Sequence, residues 1–268
     1  MGVSSAAQQA EINAFNKVKR ALGNPEVFAE PAGFETSFPD FGFRLYINKQ
    51  AVDIHIEYKA SKKDQMGSMR DWIFDGNKFS TNKTDEAKSD LIEIMNSDST
   101  CINNGKRLLN DFKTYFDKRV NKIYSGMLTV ESDQKVRRAN LKKFVANKNT
   151  DNYSLAKISN DDLGNKIIDH YKTKFKKVKK SDAVSSLLMM MLGNEIYFIS
   201  RIGTVKDDLK IINDLLSSSP IPTMRNLSAA LEVRIQPRGL SNEGKPVSID
   251  VMASFRLTGK TAAGAQVR

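Results

Sequence analysis

Two neighbouring stretches of the chain alternate between apolar and polar side chains. The alternation runs through residues 41–48, stops at a short polar turn, and returns through residues 51–60. A period of two residues is typical of a strand with one buried face, so the pattern predicts a β-hairpin. Because side chains two residues apart share a face of a strand, Glu57 and Lys59 are expected to project from the same side. Asp40 lies just before the first strand, and we expect it to converge with them at one edge of a small sheet.

Helical spacing of apolar residues marks other segments. Residues 4–22 repeat apolar side chains at intervals of three and four before Gly23, which predicts an N-terminal helix. The region 84–180 is predicted to be helical apart from a polar break at 147–154, because four apolar stripes run through it. The stripes cover residues 91–95, 108–123, 136–145 and 167–178.

The part of the chain that follows residue 180 mixes helical and strand patterns. In chain order, it predicts a buried helix at 181–192, a buried strand at 195–201, an amphipathic helix at 207–216, a hairpin from 231–235 and 247–257, and a frayed end at 258–268. Together with the first hairpin and the helical region, these elements predict an α/β fold.

Composition narrows the function. The chain has 268 residues and a formal net charge of +11, which suits a polyanionic partner, with nucleic acid favoured over an anionic membrane. A single cysteine, Cys101, excludes an internal disulfide and favours a reducing, cytoplasmic location. With only two histidines, a zinc site is not expected, so any bound metal would be held by carboxylates, which favours Mg²⁺ or Mn²⁺. No apolar run is long enough to span a bilayer.

The first hairpin carries a recognisable pattern of residues. Pro39-Asp40 is followed, seventeen positions after Asp40, by Glu57-Tyr58-Lys59. This pattern resembles the PD-(D/E)XK nuclease superfamily, which includes many restriction endonucleases and phage nucleases. The resemblance implies a restriction-endonuclease-like core: a helix, a mixed sheet that begins with the catalytic hairpin, a second helix and a further strand. On this chain it implies a first part of the core at 1–80, a basic helical insertion at 84–180, and the rest of the core with a C-terminal β-hairpin at 181–268.

The resemblance also implies a metal site. Asp40, Glu57 and the backbone carbonyl of Tyr58 would hold Mg²⁺, with Mn²⁺ as a substitute, and Lys59 would orient a water molecule or the phosphate. In such nucleases a glutamate of the first helix often joins the metal, which makes Glu11 a candidate; the alternative for Glu11 is a solvated charge near the helix start. On the same strand face as Glu57, Asp53 is a candidate for a further metal ligand and His55 for a polar neighbour of the site.

Two groups of residues are candidates for contact with DNA. The stripe at 167–178 has lysines on its other face, namely Lys172, Lys174, Lys176, Lys177, Lys179 and Lys180. Such a basic amphipathic helix is typical of phosphate contact, and the alternative is that the lysines only solubilise the helix. Ser61 and Gln65 follow Lys59 closely; the resemblance implies that they touch DNA, and an exposed loop is the alternative.

These features predict a metal-dependent DNA endonuclease, restriction-like or phage-type, that hydrolyses phosphodiester bonds of duplex DNA. Such enzymes often form homodimers, so that two sites cut two strands. The alternative from another class is a basic nucleic-acid-binding protein without catalysis, in which the carboxylates are surface residues. A weaker alternative is a membrane-surface or structural phage protein that uses its basic helix.

Overall fold

The computed structural model of the chain describes residues 6–31, 38–61, 65–69, 72–82, 86–115, 121–124, 126–129, 154–156, 161–178, 181–217, 221–224, 229–238, 248–257 and 263–266. The chain forms two compact units. One comprises Met1–Asp64, Ile167–Leu227 and Lys260–Arg268, and the other comprises Gln65–Lys166 and Ser228–Gly259. The division of the chain at 80, 84 and 180 that the sequence suggested remains a prediction, and both units cross it.

The described residues form five α-helices and fifteen β-strands. The helices are α1 (Ala6–Ala21), α2 (Glu86–Ser97), α3 (Ser99–Tyr115), α4 (Asp161–Lys177) and α5 (Asp208–Leu215). The strands are β1 (Glu26–Ala29), β2 (Phe41–Ile47), β3 (Gln50–Lys59), β4 (Gln65–Met69), β5 (Trp72–Phe74), β6 (Phe79–Thr81), β7 (Ile123–Tyr124), β8 (Gly126–Thr129), β9 (Ser154–Ala156), β10 (Ser185–Leu192), β11 (Glu195–Gly203), β12 (Pro222–Met224), β13 (Ala229–Arg238), β14 (Ser248–Leu257) and β15 (Ala263–Gln266).

The first unit contains a mixed seven-stranded sheet in the order β1-β2-β3-β10-β11-β12-β15. Within it, β3 and β10 are parallel, β11 and β12 are parallel, and the remaining neighbours are antiparallel. The predicted hairpin is confirmed as β2 and β3. Its turn residues Asn48 and Lys49 both have positive φ, 52° and 64°, as the type I′ turn that matches the twist of two antiparallel strands requires.

One face of this sheet is covered by the predicted N-terminal helix α1 together with α5. The ring of Phe15 on α1 stacks on Phe43 of β2 at 5.3 Å and meets Phe41 edge-on at 5.7 Å. The β3 residue Ile54 and the α5 residue Ile212 belong to the same buried cluster. The apolar positions of the alternation that predicted the hairpin are thus the ones that face this core.

The opposite face of β3 is packed against the basic helix α4. The ring of Phe175 on α4 meets that of His55 on β3 at 5.2 Å, and the ring of Phe28 on β1 lies 4.9 Å from His55 on another side. Ile167, Ile168 and Tyr171 of α4 are also buried. The predicted helical stripe at 167–178 is therefore confirmed, and its apolar side is part of the packing of this unit.

The prediction of a buried helix at 181–192 is wrong, because Ser185–Leu192 forms strand β10. This strand runs parallel to β3, with Leu188 beside His55 and Met190 beside Glu57. Both faces of β10 are buried from Leu187 to Leu192. A central strand of this kind carries a continuous apolar run without alternation, so its period cannot distinguish it from a short buried helix.

The second unit contains two antiparallel sheets and the helices α2 and α3. One sheet has the order β4-β14-β13-β9 with β8 also paired to β14, and the other has the order β6-β5-β7. Trp72, Phe74 and Phe79 are buried together, with ring centroids 4.6 Å apart for the two phenylalanines. Strands β13 and β14 confirm the predicted C-terminal hairpin.

Several further predictions have outcomes in the described residues. The segment 84–180 is helical in α2, α3 and α4, but it also contains the short strands β7, β8 and β9, so the prediction of a wholly helical region is wrong. The stripe at 136–145 lies outside the described residues. The strand at 195–201 and the helix at 207–216 are confirmed as β11 and α5, whereas part of the predicted frayed end pairs with β12 as strand β15. Among the described residues, no helix combines the length and the apolar character that crossing a membrane would require.

Candidate active site

The carboxylate of Asp40 is fixed at the end of the β2–β3 hairpin. Its Oδ2 atom accepts a hydrogen bond from the backbone N–H of Tyr58 at 2.6 Å. Antiparallel pairing of β2 with β3 brings the residue that precedes β2 beside the end of β3, because Phe41 is the register partner of Ile56. The sequence prediction that Asp40 converges with the end of the second strand therefore agrees with the geometry.

Lys59 joins the two carboxylates. Its Nζ atom lies 2.6 Å from Oε1 of Glu57 and 3.9 Å from Oδ2 of Asp40. Glu57 and Lys59 are two residues apart on β3 and share a strand face, as the alternation predicted. The side chains of all three residues are at most 22% exposed, so this ion cluster is largely withdrawn from water.

The cluster has an unbalanced negative charge. The pKa of Asp40 is raised from 3.8 to about 7, chiefly by burial and next by the neighbouring charge of Glu57. The charge of Lys59 and the hydrogen bond from Tyr58 act in the opposite direction without cancelling these effects. A single lysine thus neutralises the carboxylate pair only in part, and the pair would gain from an additional cation.

Glu11 of α1 lies within electrostatic range of this cluster. Burial raises the pKa of Glu11, the charge of Lys59 lowers it, and that of Glu57 raises it. Glu11 in turn contributes to the raised pKa of Asp40. The structure therefore brings the predicted first-helix glutamate near the carboxylates, half-buried rather than fully solvated.

The donor set can be compared with what Mg²⁺ needs. Among the described residues, no group of three or more His, Cys, Asp or Glu side chains is arranged to hold a metal ion. Mg²⁺ keeps several water ligands and is commonly bound by one or two protein carboxylates together with phosphate oxygens. Asp40 and Glu57, with their shortage of positive charge, fit that mode of binding.

One residue that the sequence patterns did not single out also contacts the site. The hydroxyl of Tyr171, on α4, is hydrogen-bonded to Glu57, and Tyr171 is only 3% exposed. Burial first, and then the charges of Glu57 and Asp40, raise the pKa of Tyr171 well above its ordinary value. In the sequence, Tyr171 is one member of an apolar helical stripe. The only available signal was its hydroxyl, which a buried tyrosine usually pairs with a polar group.

Asp53 and His55 share the strand face of Glu57 but have other surroundings. Both oxygens of Asp53 are engaged by Arg44, at 2.8 Å from Nε and 3.1 Å from Nη2, so Asp53 is part of a buried ion pair. His55 is 4% exposed, and burial lowers its pKa to about 4 against the opposing charge of Asp53. The imidazole is therefore neutral near pH 7, and its Nδ1 atom has no hydrogen-bond partner among the described residues.

The lysines of α4 differ in their exposure. Lys174, Lys176 and Lys177 are exposed, whereas Lys172 is half-buried and forms an ion pair with Asp169 at 3.0 Å. The Nζ atom of Lys174 lies 5.5 Å from the centre of the Phe38 ring and 5.8 Å from that of Tyr171. The first of these exposed lysines, Lys174, thus lies next to Phe38 and Tyr171, which adjoin the carboxylate cluster. Lys179 and Lys180 lie outside the described residues.

The remaining predicted site residues have different positions. Tyr58 contributes its N–H to Asp40, and its side chain packs against the apolar core on the other face of β3. Ser61 is half-buried just after β3. Gln65 begins strand β4 and belongs to the second unit. The predicted roles of these residues in binding metal or DNA stay predictions.

Comparison of the chain with protein-family models, with curated proteins and with solved structures found no match.

Proposed function

We propose that this protein is a Mg²⁺-dependent DNA endonuclease of the PD-(D/E)XK type, with Asp40, Glu57 and Lys59 as its catalytic residues. The observation that carries the proposal is the position of Lys59, whose ammonium group lies 2.6 Å from Glu57 and 3.9 Å from Asp40. Asp40, which lies seventeen positions before Glu57 in the chain, therefore meets Glu57 and Lys59 in one half-buried cluster.

The order of elements supports the same proposal. The first unit runs from helix α1 through the hairpin β2–β3 to helix α4 and then to β10, which is parallel to the strand that carries Glu57 and Lys59. This is the order that a restriction-endonuclease-like core has. In this proposal α4 takes the place of the helix expected at 181–192, and β10 takes that of the further strand beside β3.

The chemistry follows from the side chains. Asp40 and Glu57 would hold Mg²⁺, with Mn²⁺ as a substitute, and the ion would supply a water of lowered pKa and positive charge for the phosphate. Glu11, within electrostatic range of the same carboxylates, would add negative charge on the side of α1. Hydrolysis forms a bond from the water oxygen to phosphorus and breaks the bond from phosphorus to the sugar oxygen, which leaves with a proton.

Lys59 has two roles in this scheme. Without metal, its ammonium group partly neutralises the carboxylate pair. When a divalent cation takes over that neutralisation, the ammonium group is free to donate to the attacking water or to a phosphate oxygen, as a point charge does. The exposed lysines 174, 176 and 177 of α4 would hold the DNA backbone, since phosphate contacts supply most non-specific affinity.

The experiment that tests this proposal is cleavage of plasmid DNA by the purified protein with Mg²⁺, Mn²⁺ or Ca²⁺. We expect cleavage with the first two ions and only binding with Ca²⁺, which coordinates oxygen ligands loosely. Glu57→Gln, Asp40→Asn and Lys59→Ala should each reduce the rate by about 100-fold or more while DNA binding survives. The exposed carboxylate of Glu26 on β1 provides the control, and Glu26→Gln should cleave like the wild type.

Two outcomes would overturn the proposal. If the wild type binds DNA but does not cleave it with any of the divalent ions, the protein is a non-catalytic nucleic-acid-binding protein. If the wild type cleaves and the three variants cleave equally well, the activity lies elsewhere in the chain.

A further inference from the structure

Helix α4 contacts the strand that carries the candidate catalytic residues at two matching positions. Tyr171 is hydrogen-bonded to Glu57, and Phe175, one turn later, packs on His55, which is two residues before Glu57. Four residues of a helix rise about 6 Å, and two residues of a strand span about 6.6 Å, so the two spacings agree. The helix is therefore docked on β3 in one defined register, with Tyr171 opposite Glu57.

The same helical turn reaches the residues that precede Asp40. The rings of Tyr171 and Phe38 lie 6.3 Å apart and are inclined by 30° to each other, and Lys174 lies over both. Phe38 is two residues before Asp40. Tyr171 thus contacts Glu57 directly, and its ring packs on the segment that leads into Asp40.

We propose that Tyr171 is a positioning residue, whose hydroxyl holds the carboxylate of Glu57 in the orientation in which it binds the divalent cation. This inference rests on the proposed function and extends it, because no residue of α4 was assigned to the metal site.

The hydrogen-bonding capacity of Glu57 allows this role. An ionised carboxylate has about four acceptor positions on its two oxygens, of which Lys59 and Tyr171 engage two. A buried carboxylate fixed from two sides keeps the rest of its capacity in a defined direction. Groups that orient metal ligands in this way typically change metal affinity or activity by about 10- to 100-fold when they are removed.

Tyr171 also links two surfaces. The residue three positions later, Lys174, begins the exposed lysines that are proposed to hold DNA. The helical turn that carries Tyr171 therefore also carries the first of these lysines.

The test is Tyr171→Phe, which keeps the ring against Phe38 and Lys174 and removes only the hydroxyl. Binding of Mn²⁺ alone, measured by electron paramagnetic resonance, should weaken about 10- to 100-fold, and the Mg²⁺ concentration for half-maximal cleavage should rise similarly. The cleavage rate at saturating Mg²⁺ should fall much less. DNA affinity without metal should not change.

Tyr197 provides a matched control. It is also 3% exposed, and its hydroxyl donates a hydrogen bond to a glutamate, Glu195, outside the cluster. Tyr197→Phe should leave Mn²⁺ binding as in the wild type, and a thermal melt of both variants reports any general loss of folding.

The inference and the function on which it rests fail in different ways. A wild-type protein that neither cleaves DNA nor binds Mn²⁺ would overturn the proposed function. A wild-type protein that does both, with Tyr171→Phe equal to it or to Tyr197→Phe in Mn²⁺ affinity, would overturn the role of Tyr171 and leave the nuclease proposal standing. If Tyr171→Phe does not fold, the double variant Tyr171→Phe/Glu57→Leu decides, because leucine offers the hydroxyl no acceptor. A role through Glu57 requires the double variant to fold as well as Glu57→Leu alone, and any further loss contradicts that role.

Discussion

The carboxylate of Asp40 accepts a hydrogen bond from the backbone N–H of Tyr58 at 2.6 Å, so the residue before strand β2 is tied to the end of strand β3. This bond fixes Asp40 beside Glu57. This arrangement is electrostatically unfavourable for the folded protein, because two carboxylates share a half-buried site with one lysine. Its effect on the free energy of unfolding can be measured without any assumption about DNA.

Asp40→Asn is expected to stabilise the metal-free protein in a pH-dependent way. The pKa of Asp40 is about 7 in the folded protein and 3.8 in the unfolded chain, so the folded state binds the proton more tightly. The stabilisation of the folded wild type by this tighter proton binding is fully present below pH 3.8 and is lost as the pH rises through 7. The amide keeps an acceptor for Tyr58 and does not titrate, so the variant escapes the loss.

The magnitude follows from the same linkage. At pH 8 the variant should exceed the wild type by about 2–4 kcal/mol in free energy of unfolding, and near pH 4 by less than about 1 kcal/mol. Urea unfolding without metal at both pH values measures this. Mg²⁺ should restore stability to the wild type at pH 8 and not to the variant. A difference independent of pH would mean that Asp40 is not held against its charge.

A second prediction separates a structural carboxylate from a catalytic one. Asp53 is 1% exposed and bonded through both oxygens to Arg44, so Asp53→Asn leaves a guanidinium without its buried partner. We expect a loss of about 3–5 kcal/mol in the free energy of unfolding. Asp182, which pairs with the same Arg44 at 2.7 Å, has a side chain that is 82% exposed and provides the control.

Asp182→Asn should cost less than about 1 kcal/mol, because exposed ion pairs are weak. Denaturant unfolding of the two variants side by side measures the contrast. Equal losses would show that burial does not distinguish the two partners of Arg44. A loss of cation binding by Asp53→Asn, in protein that remains folded, would return Asp53 to the metal ligands.

The hairpin could be predicted because its two strands each have one apolar and one polar face. Phe41, Phe43, Ile54 and Ile56 lie on the side of α1, and the alternation records that directly. The convergence of Asp40, Glu57 and Lys59 then follows from the pairing of adjacent strands. This local geometry needs no knowledge of the rest of the fold.

Strand β10 could not be recognised for the opposite reason. It is buried on both faces, so the residues from Leu187 to Leu192 are all apolar and show no period of two that would indicate a strand. Its pairing with β3 is also distant in sequence, since Leu188 lies beside His55. With a helix predicted at 181–192, the sequence indicates only DNA contact for α4, and the packing of α4 on the sheet cannot be predicted.

The role of Tyr171 depends on the same long-range packing. Within the stripe at 167–178, a tyrosine and a phenylalanine serve equally well as buried side chains. Only the docking of α4 on β3 puts the hydroxyl of Tyr171 against Glu57. The short strands β7, β8 and β9 cannot be predicted from the sequence, because two to four residues are too few to show a period.

The last prediction concerns the exposed lysines of α4. Changing Lys174, Lys176 and Lys177 together to Glu should weaken the binding of duplex DNA of many sequences alike, because these side chains would meet phosphates rather than bases. Each lost phosphate contact lowers the slope of log affinity against log salt concentration by about 0.9, so the slope should flatten by up to about 3. Fluorescence anisotropy at several salt concentrations measures both quantities.

General electrostatic attraction must be separated from local contact in that experiment. Lys49 in the β2–β3 turn, Lys206 before α5 and Lys210 within it are also exposed, and their triple change to Glu alters the net charge equally. Helix α5 covers the opposite face of the sheet from α4, so this control should retain most of the affinity and the salt slope. If both triple variants weaken binding to the same extent, the protein attracts DNA through its net charge of +11 and α4 is not the contact surface.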